Sequence, residues 1–329
     1  MNKRYSSNRQ LLESILKIQS VSGHEEMMAS FIINFARKFP SVSVSTSDVG
    51  NVFLVYKKAK VYPLLVAHTD TVHPIIVPGI VVEQTPLSKV TIETYPFKIK
   101  RSKGVWSSLT GIGGDDKCGI FILLSILRRL VEVDGPPCKF FFPVGEENGF
   151  IGTRSALSTS NSWFSDVGYM IEPDRRGSSD IINGKGSWTS DSFLSASRLL
   201  FKQFNFHVVP GGITDITHLS TDLRISAFNV SCGYYNPHKE DEYIVEKELF
   251  HTLRFVWQFI NTITGSFLLP PLPPVPPQRY NNWSWPYYSD GYDYSSFNSS
   301  FNNSTPSSTP SHKRRTAWRN PLLNKKPYA

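Results

Sequence analysis

The chain has 329 residues, a mass of 37.2 kDa, 40% hydrophobic residues and a net charge of +8. That apolar content suffices for one large α/β domain or two small ones and excludes a wholly disordered or fibrous chain. Residues 266–329 hold seven Lys/Arg and two Asp/Glu, so +5 of the charge lies there; the first 265 residues keep +3 and show no basic stripe of the kind nucleic acid requires.

The first nineteen residues are polar and then amphipathic, without the apolar core of a secretory signal. Apolar residues at three and four spacing predict helices over 7–19 and 24–38. Strands are expected at 51–57 (NVFLVYK) and 62–67 (YPLLVA). After GGDDK comes a strongly apolar helix, CGIFILLSILRRLVE, then strands KFFFPV and VGYMIE. A helix near SFLSASRLLFKQF, a strand in ISAFNVS and a last helix, EKELFHTLRFVWQFINTI, complete the pattern. Such alternation predicts an α/β fold, a mostly parallel mixed sheet with helices on both faces. No apolar run reaches the roughly 18 residues of a membrane span.

Near residue 266 the composition changes. LLPPLPPVPPQ, residues 268–278, reads as a stiff polyproline II spacer. A Tyr/Asn/Ser-rich stretch and a basic end, HKRRTAWRNPLLNKK, follow and lack the aliphatic residues needed to fold alone. Two regions are therefore expected, a folded domain over 1–265 and a disordered tail over 266–329 that is either solvated or a docking arm. Cys118, Cys138 and Cys232 are odd in number and widely spaced, which fits packing residues in a reducing compartment, the cytoplasm. The sequons at Asn282, Asn298 and Asn303 then carry no glycan.

Polar clusters fall where predicted strands stop. YPLLVA runs into His68-Thr69-Asp70, KFFFPVG into Glu146-Glu147, VGYMIEP into Asp174, and ISAFNVSCGYYNP into His238, while Asp115-Asp116 sits on the turn GIGGDDKCG. In parallel sheets, sites form at the carboxyl ends of strands. Two histidines with three carboxylates suit a pair of zinc-type divalent ions, with Zn²⁺ the default and Co²⁺ or Mn²⁺ the alternatives. In the HxD, alternate strand residues point the same way, so Asp70 can accept the second ring N–H of His68 and fix its tautomer. Of the adjacent glutamates, one can bind metal while the other takes a proton. Taken singly, each cluster has a plain structural reading: Asp115 as a helix cap, His238 as a turn residue, the Glu pair as a solvated helix start.

In this order the residues HxD, G-x-D-D, E-E-x-G, a later acid and a late His resemble the co-catalytic di-zinc metallopeptidases of the M20, M28 and M42 type. IQSVSGHEE, residues 18–26, resembles the N-terminal motif of the M20 and M42 groups. The resemblance covers about residues 7–265 and implies a zinc-exopeptidase fold. It implies that His68 and Asp174 bind one metal, Glu147 and His238 the other, that Asp115 bridges them with a cis bond to Asp116, and that Glu146 is the general base. Glu172 is an alternative to Asp174. Asp174 to His238 is 64 positions and His68 to Asp115 is 47, too short for the inserted domains of M20 or M42 enzymes, so a lidless single domain is expected, with residues 75–105 as a hairpin or loop excursion. Asp215 in GGITDITHL reads either as a site residue or as plain turn chemistry, and His218 as structural. The implied activity is amide hydrolysis of short peptides by an aminopeptidase. Alternatives are a carboxypeptidase or N-acyl amino acid deacylase and, in another class, a non-catalytic binding protein.

Overall fold

The computed structural model describes residues 3–74, 79–85, 88–94 and 97–271, all within one compact unit, Met1–Pro273. The expected low-complexity tail beyond residue 271 lies outside the described residues. The first elements are α1 (Lys3–Leu16), α2 (Glu26–Ala36), β1 (Val42–Thr46), β2 (Val52–Tyr56), β3 (Tyr62–Val66), the hairpin β4 (Gly79–Thr85) and β5 (Ser88–Thr94), β6 (Ile99–Ser102) and β7 (Val105–Ser108). Next come α3 (Gly114–Glu132), β8 (Cys138–Phe142), α4 (Ile151–Thr159), β9 (Val167–Arg175), β10 (Asp180–Ile182) and α5 (Asp191–Gln203). The last are β11 (His207–Val209), α6 (Asp215–Leu223), β12 (Ala227–Ser231), β13 (Tyr234–Tyr235), β14 (Tyr243–Val245) and α7 (Glu246–Thr262).

Eight strands form a mixed sheet in the order β1-β2-β8-β3-β9-β12-β10-β11. Its central block, β8-β3-β9-β12, is parallel throughout, and antiparallel pairs flank it. The strands of that block are apolar on both sides because both sides are covered. Leu65, Ala67, Phe140 and Phe142 join the core shared with α1, α2, α3, α5 and α7, whereas Leu64, Val66 and Phe141 join the core under α4 and α6. The alternation is there, but burial of both faces hides it in the sequence. The α/β architecture and the positions of the five central apolar strands and five long helices agree with expectation.

Other features go beyond it. GGITDITHL is not a turn throughout: α6 begins at Asp215, behind Thr214, whose N–H donates to the Thr217 hydroxyl at 2.9 Å. A second, antiparallel sheet, β13-β14-β7-β6, has no counterpart in the sequence reading. The excursion over 75–105 does contain a hairpin, β4–β5, but its C-terminal part, β6 and the start of β7, belongs to that sheet. Residues 266–271 also stay packed, with Phe267 N–H donating to the Gly168 carbonyl and Leu269 N–H to that of Arg224, both at 2.8 Å. The three cysteines are buried and free, and among the described residues no helix is long and apolar enough to cross a membrane.

Glu246, at the start of α7, joins this second sheet to the helices. Its carboxylate accepts from Arg9 Nε of α1 at 2.7 Å, Arg101 Nε of β6 at 2.7 Å and Trp106 Nε1 of β7 at 3.1 Å. Burial opposes the charge, but Arg101, Arg9 and Trp106 hold the carboxyl below its ordinary value of 4.5. A lowered folded pKa means stability that is present above the unfolded value and lost as pH falls through the folded one. Glu246→Gln is therefore expected to lower Tm at pH 7 by about 2–4 °C, for roughly 1 kcal/mol of screened ion pairing. The gap between variant and wild type should close in thermal scans below about pH 4; a gap constant with pH would refute the ionic assignment.

Candidate metal centre

The parallel pairing of β3 with β8 continues past both strands. Ala67 N–H donates to the Phe141 carbonyl at 3.2 Å and Thr69 N–H to that of Pro143 at 2.9 Å. His68 and Asp70 are thereby laid beside Glu146 and Glu147. Asp70 is fully buried and accepts four hydrogen bonds: from His68 Nδ1 at 3.2 Å and Glu146 N–H at 3.0 Å on Oδ1, and from Ser22 Oγ at 2.6 Å and Glu147 N–H at 3.2 Å on Oδ2. Burial raises its pKa, yet His68, Ser22 and the Glu146 N–H outweigh it and keep Asp70 ionised. The segment IQSVSGHEE finds its physical role here. Ser20 and Val21 bridge to Thr71, Ser22 reaches Asp70, and Glu25 accepts the Gly145 N–H at 3.2 Å.

With Nδ1 committed to Asp70, His68 presents Nε2 to Asp115 Oδ1 at 3.1 Å and to Asp174 Oδ1 at 3.7 Å. The other oxygen of Asp115, Oδ2, lies 3.3 Å from His238 Nε2, which is itself 2.8 Å from Glu147 Oε1. Asp115 thus spans two histidines, one fully buried and one with half of its side chain exposed. The Asp115–Asp116 peptide bond is cis. Donor atoms lie within 4.8 Å of one another in three groups: Asp115, Glu147 and His238; His68, Asp116 and Asp174; His68, Glu146 and Glu147. Glu172 joins none of them. It is buried in β9 and accepts the Thr214 hydroxyl.

The donor set fits divalent cations. Glu147 Oε1 is buried and close to an imidazole nitrogen, yet it makes no hydrogen bond, as happens when ligands converge on a common centre instead of on each other. Burial, with the charge on Asp115 next, pushes the Asp174 carboxyl well above the usual range, and burial pushes that of Glu146 up to about 10. Asp115 goes the other way: burial opposes its charge, but the two histidines hold it far below the usual range. The carboxylates of Asp115 and Glu147 beside it bring His238 up to about 10. So many acids around two imidazoles need positive charge to coexist.

These groups line a cavity of about 420 Å³ that opens between the end of β9, the Glu146–Phe150 turn and the Gly212–Thr214 loop. Asp115, Glu146, Glu147, Asp174 and His238 are on its wall; Asp70, Glu172 and Asp215 are not. Asp215 is fully buried, and burial brings its carboxyl up to about 7. His218 packs its ring 4.6 Å from that of Phe150.

Several positioning residues escape the sequence reading. Asn229 clamps the end of β9 by accepting Asp174 N–H at 3.1 Å and donating to its carbonyl at 2.9 Å, while Tyr234 donates to Asp174 Oδ1 at 3.2 Å. Asn51 does the same for the Glu146 turn, accepting Val144 N–H at 3.1 Å and donating to the Gly152 carbonyl at 2.8 Å. Glu242 is fully buried and accepts Gly113 N–H at 2.7 Å, Asp115 N–H at 3.0 Å and His73 Nε2 at 2.7 Å. It sits four residues after His238, so one short segment holds both that imidazole and the brace for the turn that presents Asp115. Glu242→Gln, which keeps one acceptor oxygen, is expected to weaken metal retention by about tenfold or more and Glu242→Ala by up to about a hundredfold. Metal titration of both variants checks this, and undiminished retention in Glu242→Ala would remove the brace from the account.

No family model matches this sequence, and neither does any curated protein. Solved structures share its fold. A tripeptidase from Staphylococcus aureus aligns with a TM-score of 0.62 at 14% identity, covering 77% of this chain and 98% of that one. The aminopeptidase PepT of Bacillus cereus aligns at 0.61 and 14%, covering 77% and 97%. The TET1 peptidase of Pyrococcus horikoshii aligns at 0.59 and 17%, covering 78% and 100%. At these identities the likeness establishes the fold alone, an α/β sheet-and-helix architecture that those peptidases share with this chain.

Proposed function

We propose that the chain is a di-zinc hydrolase that cleaves amide bonds of short peptides, acting as an aminopeptidase in a reducing compartment such as the cytoplasm. The observation behind this reading is the placement of Asp115 between His68 and His238, with one oxygen toward each. His68 and Asp174 would hold one ion, Glu147 and His238 the other, and Asp115 would bridge them. Such a site would supply positive charge to acidify a water, polarise the scissile carbonyl and offset the packed carboxylates.

The chain's own groups do the rest. Asp70 orients the His68 ring and fixes its tautomer. Through the backbone N–H groups of Glu146 and Glu147 the same carboxylate sets where both glutamates leave the chain. Glu146 faces the cavity and belongs to the group around His68, which supports a role as the base that would take the proton of the attacking water and return it to the leaving amine. Positive charge in the site would favour its ionised form, the form able to accept a proton. Fold likeness to peptidases supports amide hydrolysis, and the same groups would also act on the amide of an N-acyl amino acid.

Mass-spectrometric metal analysis beside a panel of peptide and N-acyl amide substrates, before and after chelation, tests the reading. About two zinc per chain with chelator-sensitive cleavage is the expected result. Absence of cleavage after adding zinc or cobalt back would overturn it.

A further inference from the structure

We infer that Arg176 recognises a free carboxylate on the substrate, so that the cavity takes short peptides or acylated amino acids with an unblocked C-terminus. This rests on the hydrolase reading above and adds the substrate class to it. Four acids line the cavity among the described residues: Asp115, Glu146, Glu147 and Asp174. All four belong to the histidine-containing donor groups or, for Glu146, also to proton transfer. The acidic lining is thus gathered around the two histidines, and the far end of a bound substrate meets other residues. Glu172 and Asp215, just behind the wall, are fully buried, and Glu172 is engaged with Thr214.

The positive lining residues are Arg175 and Arg176. Arg175 places Nε and Nη2 each 3.4 Å from Asp180 Oδ2. Arg176 is exposed, follows Asp174 by two positions just past the end of β9, and has no ion pair among the described residues. Its backbone, in contrast, is fixed. The Arg176 carbonyl accepts the Ser231 hydroxyl at 2.9 Å, Gly177 N–H donates to the Tyr234 carbonyl at 2.9 Å, and Gly233 N–H donates to that of Gly177 at 2.8 Å. A guanidinium with uncommitted N–H donors on an anchored backbone at the rim of the site matches the planar fork of a carboxylate. The cavity's volume lies at the small end of the roughly 300–1,000 Å³ of ligand pockets, which suits two or three residues with the terminal carboxylate at the rim.

The test compares Ala-Ala-Ala with its C-terminal amide on zinc-loaded wild type, Arg176→Gln and Arg176→Lys. Equilibrium binding of the same two peptides is measured by calorimetry in a Glu146→Gln background. Wild type is expected to favour the free acid by roughly ten- to hundredfold in kcat/KM, mainly through KM. The preference should collapse to near one in Arg176→Gln and return in part in Arg176→Lys, and binding should follow the same order. Equal use of acid and amide by wild type, or a preference that survives Arg176→Gln, overturns the anchor and leaves the peptidase reading standing. If neither peptide is cleaved, the peptidase reading falls and calorimetry decides the anchor: acid-selective binding lost in Arg176→Gln upholds it, and equal binding overturns it.

Discussion

Glu146→Gln is expected to retain its metal and its fold and to lose turnover by a factor of about 10²–10⁴, the contribution typical of a positioned general base. The substitution keeps size and shape and removes only the capacity to accept a proton. The backbone N–H that donates to Asp70 at 3.0 Å is unaffected, so the turn that carries both glutamates should stay in place. Neighbouring Glu147 keeps its approach to His238, and metal content should therefore match wild type. The readouts are kcat on a tripeptide, zinc per chain by mass spectrometry and the circular dichroism spectrum. Because the loss lies in the chemical step, KM should move little. Wild-type turnover with a full metal complement would mean that another group carries the proton.

The second large effect belongs to Asp115. If one carboxylate serves two ions, then Asp115→Ala should weaken both, whereas His238→Ala should weaken one. After dialysis against a mild chelator the Asp115 variant is expected to retain almost no zinc and the His238 variant about one ion per chain, since His68, Asp174 and Asp115 persist in it. Thermal scans give a second measure. A ligand at a hundredfold excess over Kd stabilises the native state by about 2.7 kcal/mol, so the wild-type Tm should rise with added zinc while that of Asp115→Ala should not. Equal zinc retention in the two variants would remove Asp115 from the bridging position.

How much of this was legible in the sequence follows from which residues lie next to long, doubly buried strands. YPLLVA and KFFFPV read as strands because both their faces are covered, and the first polar residues after them, His68 and Glu146, mark the strand ends. The second sheet was not legible because β13 is two residues long and β14 three, too short for any period to register. Helix α6 was read as a turn since Gly211 and Gly212 precede it, and the cap that starts it rests on a hydroxyl, Thr217, with no charge to betray it. Glu242 was hidden for another reason. In HKEDE it looks like one charge of a solvated run, yet Glu240 and Asp241 are exposed while Glu242 is fully buried. Burial of a single member of a charge run is set by β14 and the Gly113 turn, which meet it only in the folded chain.

Asp70 ties together parts that sequence distance separates: an imidazole after β3, the backbone of two glutamates after β8, and a serine hydroxyl from the segment before α2. The turn that brings Glu146 and Glu147 to the cavity is consequently tied from behind to His68 and Ser22 through one carboxylate. The rest of the lining includes the Arg175–Arg176 turn and the Gly212–Thr214 loop, which contribute no member of the three histidine-containing donor groups among the described residues. On the proposed reading, substitutions in the Arg175–Arg176 turn or the Gly212–Thr214 loop are therefore expected to change substrate preference with metal content unchanged, whereas substitution of Asp70 is expected to disturb both.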